Sequence, residues 1–266
     1  MPSSVREMSV RVGVQVQPQH ADFDGMRRAW REAEELGVDS IFCWDHFYPL
    51  YGDPDGKHYE AIATLGSMAE VTERAQIGAL VICNSYRNPE LLAHAHQTID
   101  HIAGGRTILG IGAGWFQRDY DEYGYEFGTA ADRLRELRAA LPRIKSRLAK
   151  LNPPPMGPMP ILIGGSGPKV TLKLVAQYAD MWHSFGDVED FNRKNDILLG
   201  HCADVGRDPS EIERTWGVHR DIMAHADGLL EAGVQHLILG IGGDGHGYDL
   251  SVLRELVAWR DAVNAR

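Results

Sequence analysis

Short apolar runs that read as strands alternate along the chain with longer stretches whose apolar residues recur every three or four positions. VRVGVQV (residues 10–16) alternates with period two, and over 23–36 Met26, Ala29, Trp30 and Ala33 share one helical face. SIFCW (40–44) is a second strand and 60–72 a second helix, separated by a Tyr-, Gly-, Pro- and Asp-rich surface loop over 47–59. A third strand over 75–82 gives way to the polar turn CNSYRNP (83–89), with Pro89 placed to start a helix that runs to Ile102. Strand four is TILGI (107–111). A loop then leads to a helix over 130–149 whose buried stripe is Leu134, Leu137, Leu141, Ile144 and Leu148.

NPPPMGPMP (152–160) carries five prolines and has the composition of a linker, but the same rhythm resumes after it. Strand five, PILI (160–163), ends in Gly164-Gly165-Ser166-Gly167. A helix follows, with Leu172, Val175, Ala176 and Ala179 at i, i+3, i+4 and i+7. Strands six (181–185), seven (212–218) and eight (236–241) and a closing helix over 250–263 complete the pattern. Eight strands, each followed by a helix, in a chain close to the ~250 residues usual for the fold predict an α/β (β/α)8 barrel, one domain over residues 1–266. A doubly wound sheet would need fewer strands and a switch point.

In such a barrel the strand C-termini meet on one face, where sites are built. Gly112, Gly114, Gly164, Gly165, Gly167, Gly186, Gly240, Gly242 and Gly243 all fall at or just past those ends. So does the candidate chemistry, at Asp45-His46, Cys83–Tyr86, Gly112–Gln117, Gly164–Gly167 and Trp182–Ser184. A strand that turns through Gly164–Gly167 into a helix N-terminus offers aligned N–H groups to a phosphate, although the same glycines also serve a plain tight turn. Asp45-His46, set between Trp44 and Phe47, pairs an imidazole with a carboxylate. It reads either as a proton donor or acceptor, or as a surface pair that caps the loop. Gly112-Ala113-Gly114-Trp115 would let a planar ligand approach the backbone, or makes a tight turn beside a core tryptophan.

His94, His96 and His101 lie on an outer helix at spacings that do not converge on a metal, no HExxH or GxSxG pattern appears, and the Gly164–Gly167 turn is neither a P-loop nor a GxGxxG motif. No metal site is expected. With no evident nucleophile, the chemistry points to an organic cofactor. A hydrophobic fraction of 44% and a net charge of −10 without a basic cluster argue for a soluble protein and against a nucleic-acid or anionic-membrane partner. Three separated cysteines, no CxxC, no leader-like segment and no apolar run of ~18 residues suggest a cytoplasmic protein with free thiols.

Taken together, SIFCWDHF (40–47), IGALVICNSYRNPELLAHAHQTID (77–100), GRTILGIGAGWFQRDYDEYG (105–124), ILIGGSGPKVTLKLVAQYADMWHSFG (161–186) and the closing LILGIGG and YDLSVLRELVAWRDA resemble the luciferase-like superfamily, in particular its actinobacterial branch of coenzyme F420-dependent oxidoreductases. The resemblance covers nearly the whole chain in order. It implies a barrel holding a deazaflavin at its C-terminal face, with hydride transfer to or from C5 and a small organic substrate such as an activated alkene, a carbonyl or an alcohol.

By position it makes Asp45 and His46 cofactor contacts, with His46 the candidate for proton donation or substrate polarisation. Leu80 and Val81 occupy a bulge where relatives have a non-prolyl cis peptide. Cys83 and Asn84 would line the cofactor's tail side, while Ala113, Gly114, Trp115, Gln117 and Arg118 would lie along its ring and side chain. Gly164, Gly165, Ser166 and Gly167 would take its phosphate. A homodimer through helices near strands two and three is also implied.

Two departures stand out. Trp115 occupies the position where the sugar-phosphate dehydrogenases of the family have a Glu, which argues against glucose 6-phosphate as substrate. The segment before strand five is also shorter than in many relatives. Three other readings keep the barrel: a reduced-FMN monooxygenase, a flavin- or deazaflavin-binding protein without turnover, and a sugar-phosphate enzyme using the same phosphate turn.

Overall fold

The computed structural model describes residues 9–245 and 247–266. Nine strand segments form one closed, all-parallel sheet: β1 (Arg11–Val16), β2 (Ser40–Cys43), β3 (Gln76–Ala79), β4 (Ile82–Cys83), β5 (Thr107–Gly112), β6 (Ile161–Gly164), β7 (Met181–Phe185), β8 (Glu213–Val218) and β9 (His236–Ile241). β3 and β4 both pair with β5 and together fill one position, so the ring has eight. β1 pairs with both β2 and β9, and the expected (β/α)8 barrel is what forms.

Around the sheet lie α1 (Phe23–Glu35), α2 (Ala61–Val71), α3 (Pro89–Ile102), α4 (Gln117–Tyr123), α5 (Ala130–Leu148), α6 (Thr171–Tyr178), α7 (Val188–Val205), α8 (Ala226–Ala232) and α9 (Ser251–Asn264). Their starts follow local chemistry. The Asn88 side chain accepts from the N–H groups of Glu90 and Leu91 ahead of Pro89, and Thr129 with Asp132 forms a capping box. Among the described residues no helix is long and apolar enough to cross a membrane.

The period-two strands separate two apolar layers. Val12, Val14, Val16, Ile41, Ile77, Leu109 and Ile163 point outward into the helices. Phe42, Ile108, Leu162, Met181 and Ile238 point inward and close the barrel's centre, so it is packed rather than hollow. Each such side chain contributes about 1.5–3 kcal/mol when fully buried.

Below this plug the interior is polar. Arg11 donates to both oxygens of Glu213, Glu213 meets His236 Nδ1 at 3.0 Å, and His236 Nε2 meets Ser40 Oγ at 2.8 Å. The network leaves no room at Gly13, where a Cβ would lie 2.2 Å from Ser40 Oγ.

Four local features differ from the sequence reading. The third strand, read as continuous over 75–82, is broken: β3 stops before Leu80 and β4 resumes after Val81, and the bond between them is cis, as the family resemblance implied. The loop after β5 contains α4, which ends at Gly124 in the left-handed conformation and buries Tyr120 and Asp119. Helix α6 begins at Thr171, so residues 165–170 intervene where an immediate strand-to-helix turn was expected. The Pro-rich segment is not a loose linker. Buried Asp100 accepts from the N–H groups of Met156 and Gly157, and Gln97 donates to the Pro153 carbonyl, which holds the segment against α3.

The three free cysteines are all buried. His96 is buried on α3 with neither ring nitrogen hydrogen-bonded, and His101 reaches the Pro154 carbonyl.

Two stability predictions follow from this packing. Replacing Gly13 with Ala overfills the floor and should cost about 1–3 kcal/mol in urea unfolding. An unchanged midpoint would show that Ser40 and His236 can give way. Burial pushes the imidazoles of His58 and His96 down to about 4 and that of His183 to about 3, so all three fold neutral. Their unfolded forms titrate near 6.5, so as pH falls from 6.5 towards 4 the unfolded chain takes up protons that the fold refuses. Stability is then lost at up to about 1.4 kcal/mol per pH unit for each group. His96→Leu should flatten this slope without lowering the urea midpoint at pH 7, and an unaltered slope would refute the assignment.

Candidate active site

A cavity of about 430 Å³ opens at the C-terminal ends of the strands, within the ~300–1,000 Å³ typical of ligand sites. Its apolar wall comes from the break in strand three. The Val81 side chain leans across the ends of β5 and β6, where a Cβ on Gly112 or Gly164 would come within 2.6 or 2.8 Å of its methyl groups. The glycines let Val81 sit there, and the Gln15 amide ties the bulge from the other side by donating to the Leu80 carbonyl at 2.8 Å.

His46 stands just past β2 with its ring edge-on to Trp44, Trp115 and Phe116. Its Nδ1 lies 2.7 Å from Oδ2 of Asp119, a fully buried carboxylate on α4. Asp119 is surrounded by donors. Its Oδ1 accepts from the N–H groups of Phe47 and Tyr48, and its Oδ2 also accepts from the Tyr86 hydroxyl. In that company the His46 proton sits on Nδ1, which leaves Nε2 as the nitrogen on the cavity side.

Asp45, next in chain, is used differently. It takes two hydrogen bonds from Arg87, at 2.5 and 2.9 Å, and one from the Cys83 N–H. Burial pushes its carboxyl up from the usual range, and the guanidinium and the N–H oppose that. Burial also works against the Arg87 charge, but Asp45 and Glu60 outweigh it and hold the guanidinium firmly protonated. The pair clamps the start of the loop after β2 to the turn after β4, so Asp45 is a brace rather than a free acid.

Beside it the Cys83 thiol, raised by burial, lies 3.2 Å from the Tyr120 hydroxyl. Both pack against Gly114, which has positive φ and where a Cβ would lie 2.0 Å from that hydroxyl.

Across the barrel, His183 on β7 also opens to the cavity. Its Nδ1 lies 2.9 Å from Thr215 Oγ1, and that hydroxyl donates to the Trp182 carbonyl at 3.0 Å. The glycine turn after β6 is partly spent. The Gly165 N–H donates to the His183 carbonyl and Trp182 Nε1 donates to the Gly165 carbonyl, while the N–H groups of Ser166 and Gly167 take no partner among the described residues.

Of the residues singled out from sequence, Asp45, His46, Leu80, Val81, Cys83, Ala113, Gly114, Trp115, Gly164 and Gly165 line this one cavity. Asn84, Gln117, Arg118, Ser166 and Gly167 lie outside its lining. Arg118 instead donates to Asp55 and the Pro54 carbonyl and stacks on Tyr48, where it pins the loop after β2. Tyr86 and His183 fall within the strand-end segments 83–86 and 182–184 picked out from sequence, and both line the cavity. Asp119, Arg87 and Gln15 were not singled out; they are brought in through space and left no local signal.

The curated relatives and solved structures agree with this architecture. An F420-dependent glucose-6-phosphate dehydrogenase of Amycolatopsis mediterranei is 32% identical over 164 residues, covering 55% of this chain and 47% of that protein. One from Kineococcus radiotolerans is 33% identical over 157 residues, covering 53% and 46%. The chain thus spans about half the length of these curated relatives.

An F420-dependent secondary alcohol dehydrogenase, solved with an F420-acetone adduct, superposes with a TM-score of 0.78 at 18% identity, covering 88% of this chain and 93% of that one. A coenzyme F420-dependent tetrahydromethanopterin reductase from Methanopyrus kandleri superposes at 0.71 and 16% identity, covering 89% and 95%. At such identities the two structures establish the fold. The family model described as luciferase-like monooxygenase matches residues 8–241, and the chain belongs to that family.

Proposed function

We propose that the protein is an oxidoreductase that uses the deazaflavin coenzyme F420 to move a hydride to or from a small, uncharged organic substrate. The observation that carries this reading is the carboxylate-backed imidazole of His46, facing the same cavity as the Val81 shelf. The residues present suit a deazaflavin. Val81 over Gly112 and Gly164 offers a flat apolar wall, and the unpartnered N–H groups of Ser166 and Gly167 lie near the Gly164–Gly165 rim for a phosphate. The relatives' names point the same way.

When bound, a deazaflavin supplies a carbon that gives or takes the hydride. The chain's own residues handle the proton and exclude water. As the carbinol carbon of an alcohol gives up its hydride, His46 Nε2 takes the hydroxyl proton and a carbonyl is left. In the reverse direction the imidazolium returns that proton to the carbonyl oxygen. Asp119 steadies the charged ring and fixes the tautomer, the part a carboxylate plays behind a catalytic histidine elsewhere.

The substrate's charge is read from the lining. Among the described residues no Lys or Arg lines the cavity. The cations that reach its wall from behind are committed elsewhere, Arg87 to Asp45 and Glu60, and Arg133 and Lys194 to main-chain carbonyls. Desolvating a phosphate monoester there without a counter-charge is costly, so a sugar phosphate does not suit this site. Trp115, largely exposed at the mouth and edge-on to His46, offers an apolar surface instead.

Titration with F420 should quench or shift deazaflavin fluorescence at micromolar concentration. Tight FMN binding without F420 binding would replace this reading with a flavin monooxygenase. With a panel of secondary alcohols and ketones, followed by F420 absorbance, His46→Ala should lose about 10²–10⁴-fold in turnover while keeping cofactor affinity. Asp119→Asn should lose turnover in the same direction. Undiminished rates in both variants, or oxidation of glucose 6-phosphate in preference to neutral alcohols, would contradict the assignment.

A further inference from the structure

His183 is the second imidazole open to the cavity, and its protonation is set by a chain of hydrogen bonds rather than by a charge. The Thr215 hydroxyl has one proton, and the Trp182 carbonyl can only accept it, so Thr215 Oγ1 must receive the Nδ1–H of His183. That places the lone pair on Nε2. Among the described residues Nε2 has no partner. It faces Gly217, where even a Cβ would lie 3.3 Å away, so the missing side chain keeps the approach open. Burial and the neighbouring His236 push this imidazole down to about 3, which keeps Nε2 an acceptor throughout the neutral range.

Position in the ring indicates what the acceptor meets. The order β2, β3 with β4, β5, β6, β7 puts β7 four places from β2, diametrically across an eight-place barrel. A small substrate held at His46 does not also reach His183. An occupant that extends across the cavity does, and it must present an N–H or O–H donor on its far edge. Resting on the cofactor reading above, we infer that His183 is a positioning residue whose Nε2 accepts a hydrogen bond from the imide N–H on the pyrimidine edge of the bound deazaflavin. The contact sets the depth and rotation of the ring and so turns its reactive carbon towards His46.

The probes are a deazaflavin chromophore without the phosphate tail and its N3-methyl derivative, each titrated by fluorescence. In the unaltered protein N3-methylation should weaken binding about tenfold. In His183→Leu the parent should bind about tenfold more weakly, and methylation should then change affinity by less than about twofold. His183→Gln, which keeps an acceptor, should regain discrimination. An equal loss on methylation in the unaltered protein and in His183→Leu overturns the inference. So does a His183→Leu protein that binds the parent at full affinity.

If His183→Leu fails to fold, Thr215→Val tests the same point. It keeps the ring and removes the hydroxyl that fixes its tautomer, so the methylation ratio should fall, and an unchanged ratio counts against the inference. An unaltered protein that binds no deazaflavin overturns the cofactor reading itself, a result distinct from binding without discrimination.

Discussion

The C-terminal face of this barrel hangs on one buried carboxylate. Asp119 collects two backbone N–H groups from the loop after β2, the hydroxyl of Tyr86 from the turn after β4, and the Nδ1–H of His46. Four donors around one anion repay its desolvation, and none can leave without exposing the charge to an apolar surround. Three segments far apart in sequence are thereby locked together, and a histidine on an otherwise irregular loop acquires a defined orientation. The aromatic rings of Phe47, Tyr86, Tyr123 and Tyr125 stack around the knot and keep water from competing for those bonds. The second knot, Asp45 with Arg87 and Glu60, does the same for the base of the loop.

This division of labour bears on how acidic residues are read at such a site. Asp45 is adjacent to His46 in sequence and invites pairing with it, yet the imidazole turns to Asp119 instead. Adjacent residues point in different directions wherever the backbone is extended. The carboxylate beside a histidine in the chain is therefore often the wrong one in space. Here Asp45 goes inward to a guanidinium, and the partner comes from a seven-residue helix whose sequence, QRDYDEY, carries no apolar stripe to announce it. Loss of Asp45 would therefore act on the loop and only through it on His46.

The barrel was legible because its signal is repeated. Eight apolar runs with glycines at their ends, alternating with helical stripes, leave few other ways to bury those strands, and one ambiguous segment does not spoil the count. The Pro-rich stretch shows the limit. Composition reads 152–160 as a linker, whereas the Asp100 carboxylate, fifty-odd residues upstream, fastens it to the barrel.

At the site the residues legible by position were those at strand ends, such as His46, Gly114 and Gly164. The glycine turn was half right: Gly164 and Gly165 reach the cavity, but the Gly165 N–H is already given to His183, and α6 starts several residues later than a simple strand–turn–helix requires. Asp119, Arg87 and the tautomer of His183 depend on contacts between distant segments, which no local pattern encodes.

The two cavity imidazoles show how one side chain takes opposite parts. His46 has a carboxylate behind it, so a proton arriving at Nε2 makes an imidazolium that Asp119 neutralises. His183 has a hydroxyl behind it, itself committed to a carbonyl, and no anion to share the charge, so protonation is penalised by burial and by His236 alike. The first can exchange a proton during a reaction and the second can only accept a hydrogen bond. On the proposed function, their placement on opposite walls gives the cavity a reactive side and a docking side. A carboxylate where Thr215 stands would erase the difference and leave two competing bases. The hydroxyl at Thr215 is therefore as much a part of the site's chemistry as the carboxylate at Asp119.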